Sequence, residues 1–453
     1  RDPMNTSTSQ TAADSAAAVS RSAEIYERAL RVMPGGCSRN AVLRKPHPHY
    51  VDHGSGCYVT DVEGNERIDF ANNMASLIHG HARPEIVAAV NDQLRRGTAF
   101  NLATEQEVLY AEMFISRVDG FENIRFVNSG TEAVMSCLKA ARAYTGRPKI
   151  AKAEGAYHGL YDYAEVSQTS NPDNWGSAEQ PASVPVSYGT PESALNDVVV
   201  IPFNDAARTI ELLEQHVDSL ACVLLDLVPH RIGLIPAQRE YVNAVRDWTQ
   251  RNGVLLACDE VITFRCGYQG AQHEIGINAD LTAMGKMIGG GFPVGAIAGS
   301  RDVMSVLDPL KKPVLFPHSG TFSANPVTMT AGRIAMELFD SDAVLALNQL
   351  GNTVRTQLTE VISVADIAAC VAGSGSMFRI LMKPEMPENY RAAYPSEQEL
   401  ALLQGFLDFV TDNGVLLIGT GTGMLSTAMR QAEIDRLCEV ALAGFRHIKM
   451  NGG

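Results

Sequence analysis

The sequence lacks the features that mark membrane proteins, nucleic-acid-binding proteins and metal sites. It contains no run of about 18 apolar residues, the length that a membrane-spanning helix needs. Its 37 lysines and arginines are outnumbered by 51 acidic residues, for a formal charge of -14, and no basic patch stands out. The pairs His47-Pro-His49 and His79-Gly-His81 have no carboxylate or cysteine at ligand spacing. We therefore expect no membrane partner, no nucleic-acid partner and no metal.

Cysteine usage and the first residues favour a cytoplasmic protein. The eight cysteines include no Cys-x-x-Cys pair and lie mostly in apolar runs, as Cys222 and Cys258 do. This pattern is typical of buried, reduced thiols. Residues 1–20 are polar and lack the apolar stretch of a signal peptide, so we expect them to form a disordered tail.

The order of apolar and amphipathic segments predicts an α/β fold with two domains. A chain of 453 residues is too long for a single core of ordinary size. Strand and helix patterns alternate from about Pro84 to Ser300, which indicates a mostly parallel, doubly wound sheet. The predicted strands are 124–127, 149–153, 198–201, 222–227, 254–258 and 295–299, and the predicted helices are 85–96, 105–117, 131–145, 205–217, 237–251, 327–339, 398–412 and 432–447. We expect a large domain over 81–340 and a small domain over 341–453, with 21–80 packing against the small domain.

Two local patterns complete this prediction. Ser22 is placed to cap a helix that runs to Met33. Residues 166–197 are polar and rich in Ser, Pro, Gly and Asn, and a connection of this length is either a lid or disordered.

Three features suggest chemistry, and two of them lie at the ends of predicted strands. Asp259 directly follows an apolar strand, where ligands bind in open α/β sheets, although a solvated carboxylate that opens a loop fits the same pattern. Lys286 lies among apolar residues and glycines, where desolvation favours the neutral, nucleophilic amine; a lysine that reaches solvent from a turn is the alternative. The segment 128–132 leaves helix N–H groups available to a phosphate, or forms an ordinary helix cap.

Together the three features fit one ligand. A phosphate, an aldehyde that captures a lysine and a ring nitrogen that needs an anionic partner all belong to pyridoxal phosphate. The sequence therefore predicts pyridoxal 5'-phosphate as the cofactor.

Five motifs resemble those of the class III aminotransferases over about residues 21–449. The nearest branch contains glutamate-1-semialdehyde 2,1-aminomutase and the β-amino-acid aminotransferases. The motifs are Asn128-Ser-Gly-Thr-Glu-Ala133, Tyr157-His-Gly159, Asp259-Glu-Val261, Gly285-Lys286 with Gly289-Gly-Gly291, and Gly320-Thr-Phe-Ser323 with Asn325-Pro326. The resemblance implies a fold-type-I homodimer.

The resemblance also implies a role for each matching position. Lys286 would carry the cofactor as a Schiff base and move the substrate proton, and Asp259 would pair with the pyridine nitrogen. The phosphate would be bound by Ser129, Gly130 and Thr131, and the two faces of the ring would be contacted by Tyr157 and Val261. The site would be supported by His158. The phosphate of the neighbouring subunit would be reached by Thr321. Arg39 would bind a substrate carboxylate, although a surface arginine fits equally, and Arg44 aligns less well.

Some positions depart from the family pattern. Asp226-Leu227 stands where Glu-Pro is common, which alters the floor of the site. The segment after Asp259 is closer to the β-amino-acid branch, whereas 166–197 resembles the aminomutase lid. No arginine stands in 419–423, where the β-amino-acid branch can offer a second carboxylate-binding arginine.

These observations predict an aminotransferase that moves an amino group from an amino acid, including β- or ω-amino acids, to a keto acid. The alternative within the family is an aminomutase that returns the amino group to an adjacent carbon. A regulatory protein that binds the cofactor without turnover, and a nucleotide-binding protein that uses the 289–291 turn, are the alternatives outside it.

Overall fold

The computed structural model describes residues 20–451. The predicted disordered tail lies outside the described residues except for Ser20. Within them, the helices are α1 Arg21–Leu30, α2 Asn72–Ala75, α3 Pro84–Arg96, α4 Glu105–Arg117, α5 Gly130–Thr145, α6 Asp162–Glu165, α7 Glu192–Asn196, α8 Ala206–Glu214, α9 Arg239–Asn252, α10 Ala271–Ile275, α11 Arg301–Met304, α12 Pro326–Leu338, α13 Ser341–Ala365, α14 Tyr390–Ala393, α15 Glu397–Asp412 and α16 Gln431–Asn451.

The described residues also contain β-strands. They are β1 Val51–Ser55, β2 Tyr58–Asp61, β3 Glu66–Asp69, β4 Asn123–Val127, β5 Lys149–Ala153, β6 Val198–Ile201, β7 Leu220–Leu225, β8 Leu255–Asp259, β9 Leu281–Gly285, β10 Gly295–Gly299, β11 Cys370–Ala372, β12 Met377–Leu381, β13 Val415–Leu416 and β14 Thr422–Met424.

The chain divides into two compact units, one of them small. The small unit contains the described residues up to Gly54 together with Val59–Glu66. Its helix α1 is capped by Ser20, whose hydroxyl accepts from the amide of Ala23. The predicted cap at Ser22 is wrong, because Ser22 is buried and its hydroxyl donates to the Glu63 carboxylate at 2.8 Å.

The large unit contains a seven-stranded sheet in the order β4-β10-β9-β8-β7-β5-β6. β5, β6, β7, β8 and β9 are parallel neighbours, whereas β10 is antiparallel to both β4 and β9. Every residue of β7 is buried, as expected for a strand covered on both faces. The mostly parallel sheet is therefore confirmed, with β10 as its one reversed strand.

The rest of the large unit is built on smaller sheets and long helices. β11, β12 and β14 form a three-stranded antiparallel sheet, and β13 pairs in parallel with β3. Helix α13 packs against α16, which also packs against α15. The boundaries predicted at 80 and 340 remain predictions.

The segment 166–197 is anchored by hydrogen bonds from two residues of α14. Arg391 donates to the carbonyls of Trp175 and Ser177 at 2.8 and 3.0 Å and forms a two-fold hydrogen bond with the buried carboxylate of Glu154. Tyr390 adds a hydrogen bond from its hydroxyl to the Ser170 carbonyl at 2.6 Å. One short helix far along the chain therefore anchors this long polar connection.

Two further findings concern the predicted reduced thiols and the predicted lack of a membrane span. All eight cysteines are free. Between residues 20 and 451, no helix combines the length and the apolar character needed to cross a bilayer.

Candidate active site

The predicted functional residues gather where strands of the central sheet end. β4, β5, β7, β8 and β9 all run in one direction, because β10 is antiparallel to both β4 and β9. Their carboxyl ends therefore share one edge, the usual ligand site of an open α/β sheet. The residues at or just beyond these ends are Ser129, His158, Asp226, Asp259 and Lys286.

Asp259 is held by two hydrogen bonds at the end of β8. Its Oδ2 lies 2.8 Å from Nδ1 of His158, and its Oδ1 accepts from the amide of Val261 at 3.0 Å. Burial lowers the pKa of His158 despite the attraction of Asp259. The imidazole is therefore neutral near pH 7 and donates its Nδ1 proton, which fixes the orientation of the carboxylate.

Three segments meet with almost no space between them beside Asp259. A Cβ atom on Gly130 would lie 2.7 Å from a methyl carbon of Val261, and a Cβ on Gly285 would lie 3.3 Å from the same methyl carbon. The start of α5, the loop after β8 and the end of β9 are thus in direct contact. Only glycine permits this approach at position 130.

The start of α5 offers hydrogen-bond donors to an anion. Ser129 caps the helix by accepting from the amide of Glu132 at 3.1 Å, and it remains half-buried. Gly159 has a φ of +90°, and a Cβ there would lie 2.6 Å from the Thr131 hydroxyl oxygen. The turn that carries Tyr157 and His158 therefore lies against this helix start, where free N–H groups and the helix dipole attract a phosphate.

Lys286 has a strained backbone and a desolvated amine. It follows the last residue of β9 with a φ of +51°, a left-handed value that is uncommon for a residue other than glycine. Burial lowers its pKa, while the carboxylates of Asp259 and Asp226 raise it. The net decrease increases the fraction of neutral, nucleophilic amine.

Asp226, noted in the sequence as a departure, belongs to this cluster. Burial raises its pKa well above the ordinary value, and the charge of Asp259 adds to the increase. Its Oδ1 accepts from the amide of Val228 at 2.9 Å. Asp226 therefore holds a proton more readily than a solvent-exposed aspartate does.

Tyr157 lies beside residues that no motif had indicated. It is 38% exposed, and the guanidinium carbon of Arg231 lies 5.3 Å from the centre of its ring, within reach of a cation–π interaction. The adjacent His230 is half-buried, and its pKa falls to about 3 because of desolvation and the charges of Arg379, Lys286 and Arg231. His230 is therefore neutral.

Two of the predicted site residues, Arg39 and Thr321, have exposed side chains. Arg39 is exposed and belongs to the small unit. Thr321 is exposed in the segment before α12. Their predicted roles stay predictions.

The burial of Lys152 leads us to predict that the folding stability of the protein depends on pH. Burial lowers its pKa to about 7, and its Nζ donates to the carbonyl of Val166 at 2.6 Å. Between about pH 7 and 10 the unfolded chain binds a proton that the folded chain has lost, so stability rises with pH in this window. We expect the Tm of the wild type, relative to Lys152→Met, to increase by about 2 °C or more from pH 7 to 9.5. Parallel Tm curves for the two proteins would show that Lys152 does not titrate in this way.

The cluster fits pyridoxal phosphate. The start of α5 suits the phosphate, the desolvated amine of Lys286 suits the aldehyde, and Asp259 suits a protonated ring nitrogen. The packing of Gly130 and Gly285 against Val261 fixes the side chain predicted to lie on one face of the ring.

Comparisons with known proteins agree with this fit. A family profile described as Aminotransferase class-III matches residues 41–447. A glutamate-1-semialdehyde 2,1-aminomutase of Methanothermobacter thermautotrophicus is 39% identical over 381 residues, 84% of this chain and 88% of the other. The crystal structure of an omega-transaminase from Sphaerobacter thermophilus has a TM-score of 0.93 at 44% identity and covers 96% of this chain and 99% of its own. A β-phenylalanine aminotransferase from Variovorax paradoxus has a TM-score of 0.84 at 30% identity, with 95% and 94% covered.

Proposed function

This chain belongs to the class III aminotransferase family and is a pyridoxal-phosphate-dependent enzyme, and we propose that it transfers an amino group from an amino acid to a keto acid, with Lys286 as the catalytic residue. The observation that carries this proposal is the desolvated amine of Lys286 beside the Asp259–His158 pair. The donors include β- or ω-amino acids, which the names of two similar solved structures support.

When bound, pyridoxal phosphate supplies an aldehyde that condenses with amines and a ring that accepts electrons from the substrate carbon. Lys286 Nζ would accept the proton from the donor carbon that bears the amino group and would carry it in the 1,3-shift. A neutral amine is needed for the first step, and the lowered pKa of Lys286 provides it.

The electrostatics of the site depend on Asp259, Asp226 and His158. Asp259 is held in place for the ring nitrogen, because His158 and the Val261 amide both donate to it. Burial and the charge of Asp259 raise the pKa of Asp226, which opposes a second negative charge in the site. One carboxylate therefore acts on the cofactor.

The remaining residue roles complete the proposal. Ser129, Gly130 and Thr131 bind the phosphate, and Tyr157 and Val261 contact the two faces of the ring. A homodimer brings Thr321 to the phosphate of the neighbouring subunit. Arg39 binds a substrate carboxylate, and the enzyme acts in the cytoplasm.

A single half-reaction tests the proposed function. The purified holoenzyme is mixed with one amino acid at a time, from an α-, β- and ω-amino acid panel, while the absorption band of the bound cofactor and the released carbonyl product are measured. Transamination predicts loss of the band together with one carbonyl product per active site. No change with any donor would contradict it. Arg39→Ala should slow only donors that carry a carboxylate.

The aminomutase is the second candidate, because a relative with that name is 39% identical. It predicts that the band persists or recovers while the substrate isomerises without releasing a carbonyl compound. Chromatography of the same reaction mixtures distinguishes the two activities.

A further inference from the structure

Arg379 is an arginine in the middle of the three-stranded sheet. It lies on β12 opposite Thr422 of β14. Its Nη1 donates to the carbonyl of His230 at 2.6 Å, whereas its Nε is buried with no hydrogen-bond partner among residues 20–451. Part of its hydrogen-bonding capacity is thus unused inside the protein.

The charge of Arg379 is also uncompensated. Burial alone lowers its pKa to about 10, so the guanidinium remains charged near pH 7. Within the described part of the chain, no carboxylate forms an ion pair with it. A buried charge without a counter-ion is unfavourable, and an anionic ligand would remove this cost.

The neighbours of Arg379 connect it to the active site. His230, which accepts its hydrogen bond, lies within the electrostatic range of both Lys286 and Arg231. The Thr420 hydroxyl lies 3.2 Å from Nε2 of His230 and 2.9 Å from the Thr422 hydroxyl. Arg379 therefore lies next to the His230–Arg231 segment, whose Arg231 guanidinium lies over the ring of Tyr157 in the candidate site.

Arg265, like Arg379, has no carboxylate partner among residues 20–451, but it differs in location. It is 0% exposed, and it donates to the Ser376 hydroxyl and the Leu425 carbonyl. Arg379 is half-buried. Of the two, only Arg379 has solvent-exposed surface.

We propose that Arg379 binds the carboxylate of the substrate and makes the enzyme selective for amino acids over simple amines. This proposal rests on the proposed function, since it assigns the substrate class of the same site. A guanidinium has five N–H donors, so Arg379 can donate to a carboxylate without breaking the bond to His230.

Two donors that differ only in the carboxylate test this role. In the holoenzyme, Arg379→Met should raise the KM for 3-amino-3-phenylpropanoate by roughly 10- to 100-fold, because charged hydrogen bonds are lost. The kcat/KM for 1-phenylethylamine should not fall. Arg379→Lys should restore part of the affinity, since it keeps a positive charge.

Arg355→Met is the matched control. Arg355 is a half-buried arginine that donates to the carbonyls of Gly375 and Met377 near the same sheet. Its loss should leave the preference between the two donors unchanged. If Arg379→Met lowers the kcat/KM of both donors equally or of neither, or if Arg355→Met alters the preference as much, the proposal is wrong.

Calorimetry separates this proposal from the proposed function. 3-Phenylpropanoate carries the carboxylate but no amino group, so its binding does not require turnover. Binding by the wild type and loss of binding in Arg379→Met would support the carboxylate site even if neither donor reacted. Equal binding by both proteins, or no binding by either, would overturn it.

Discussion

Replacing Lys286 with alanine is expected to lower the rate of amino transfer by roughly 1,000-fold or more, while the protein still folds and binds pyridoxal phosphate. The substitution removes both the amine that captures the aldehyde and the base that moves the substrate proton. Alanine at position 286 would take the same left-handed backbone conformation that lysine already has, with a φ of +51°, so the substitution adds little strain. It also removes a desolvated amine. Single-turnover rates with the preferred donor measure the effect.

Covalent attachment gives an independent measurement for Lys286. Borohydride reduction of the holoenzyme should add the mass of the cofactor to the peptide that contains Lys286, and no peptide of Lys286→Ala should gain this mass. Lys286→Arg is the control for charge, because it stays cationic but cannot attach the cofactor. A rate for Lys286→Ala above one-tenth of the wild-type rate would remove Lys286 from the mechanism.

Replacing Asp259 with asparagine is the second large effect, and we expect kcat to fall roughly 100- to 1,000-fold. The amide has no negative charge to stabilise a protonated ring nitrogen. Its oxygen can still accept from His158, which lies 2.8 Å from the carboxylate in the wild type. The fold around β8 should therefore be retained, and the Tm should change little. Steady-state kinetics with saturating cofactor measure the loss.

Asp226→Asn is the matched control for this prediction. Burial raises the pKa of Asp226 and so disfavours its negative charge, which means that a neutral amide should be tolerated at this position. We expect kcat to change far less than in Asp259→Asn. If the larger loss occurs in Asp226→Asn, the roles assigned to the two carboxyls are reversed.

The sequence predicted the sheet well where strands are long apolar runs. The predicted strand 198–201 matches β6, and 149–153 matches β5. Strand β9, which delivers Lys286, was missed because Ala283 and Gly285 have low strand propensity. The reversed direction of β10 was also not predicted, since strand direction depends on pairing with distant segments.

The candidate site was predictable where a motif combines several residues, and less so elsewhere. Asp259 was found from its position after a strand, and Lys286 from its place among apolar residues and glycines. Arg231 was given no role and Arg379 was missed, because a single arginine carries no pattern of its own. The one available signal was a charged residue in the centre of the apolar run Met377–Leu381.

The anchoring of 166–197 by Arg391 has a consequence for protein synthesis. Arg391 follows Gly176, whose carbonyl it binds at 3.0 Å, by 215 positions. A ribosome that adds about 5–20 residues each second needs roughly 10–40 s to reach Arg391 after Gly176. During this interval the polar connection and the Glu154 carboxylate are already made but lack their shared cation. This part of the chain therefore reaches its final arrangement late, after most of the central sheet has left the ribosome.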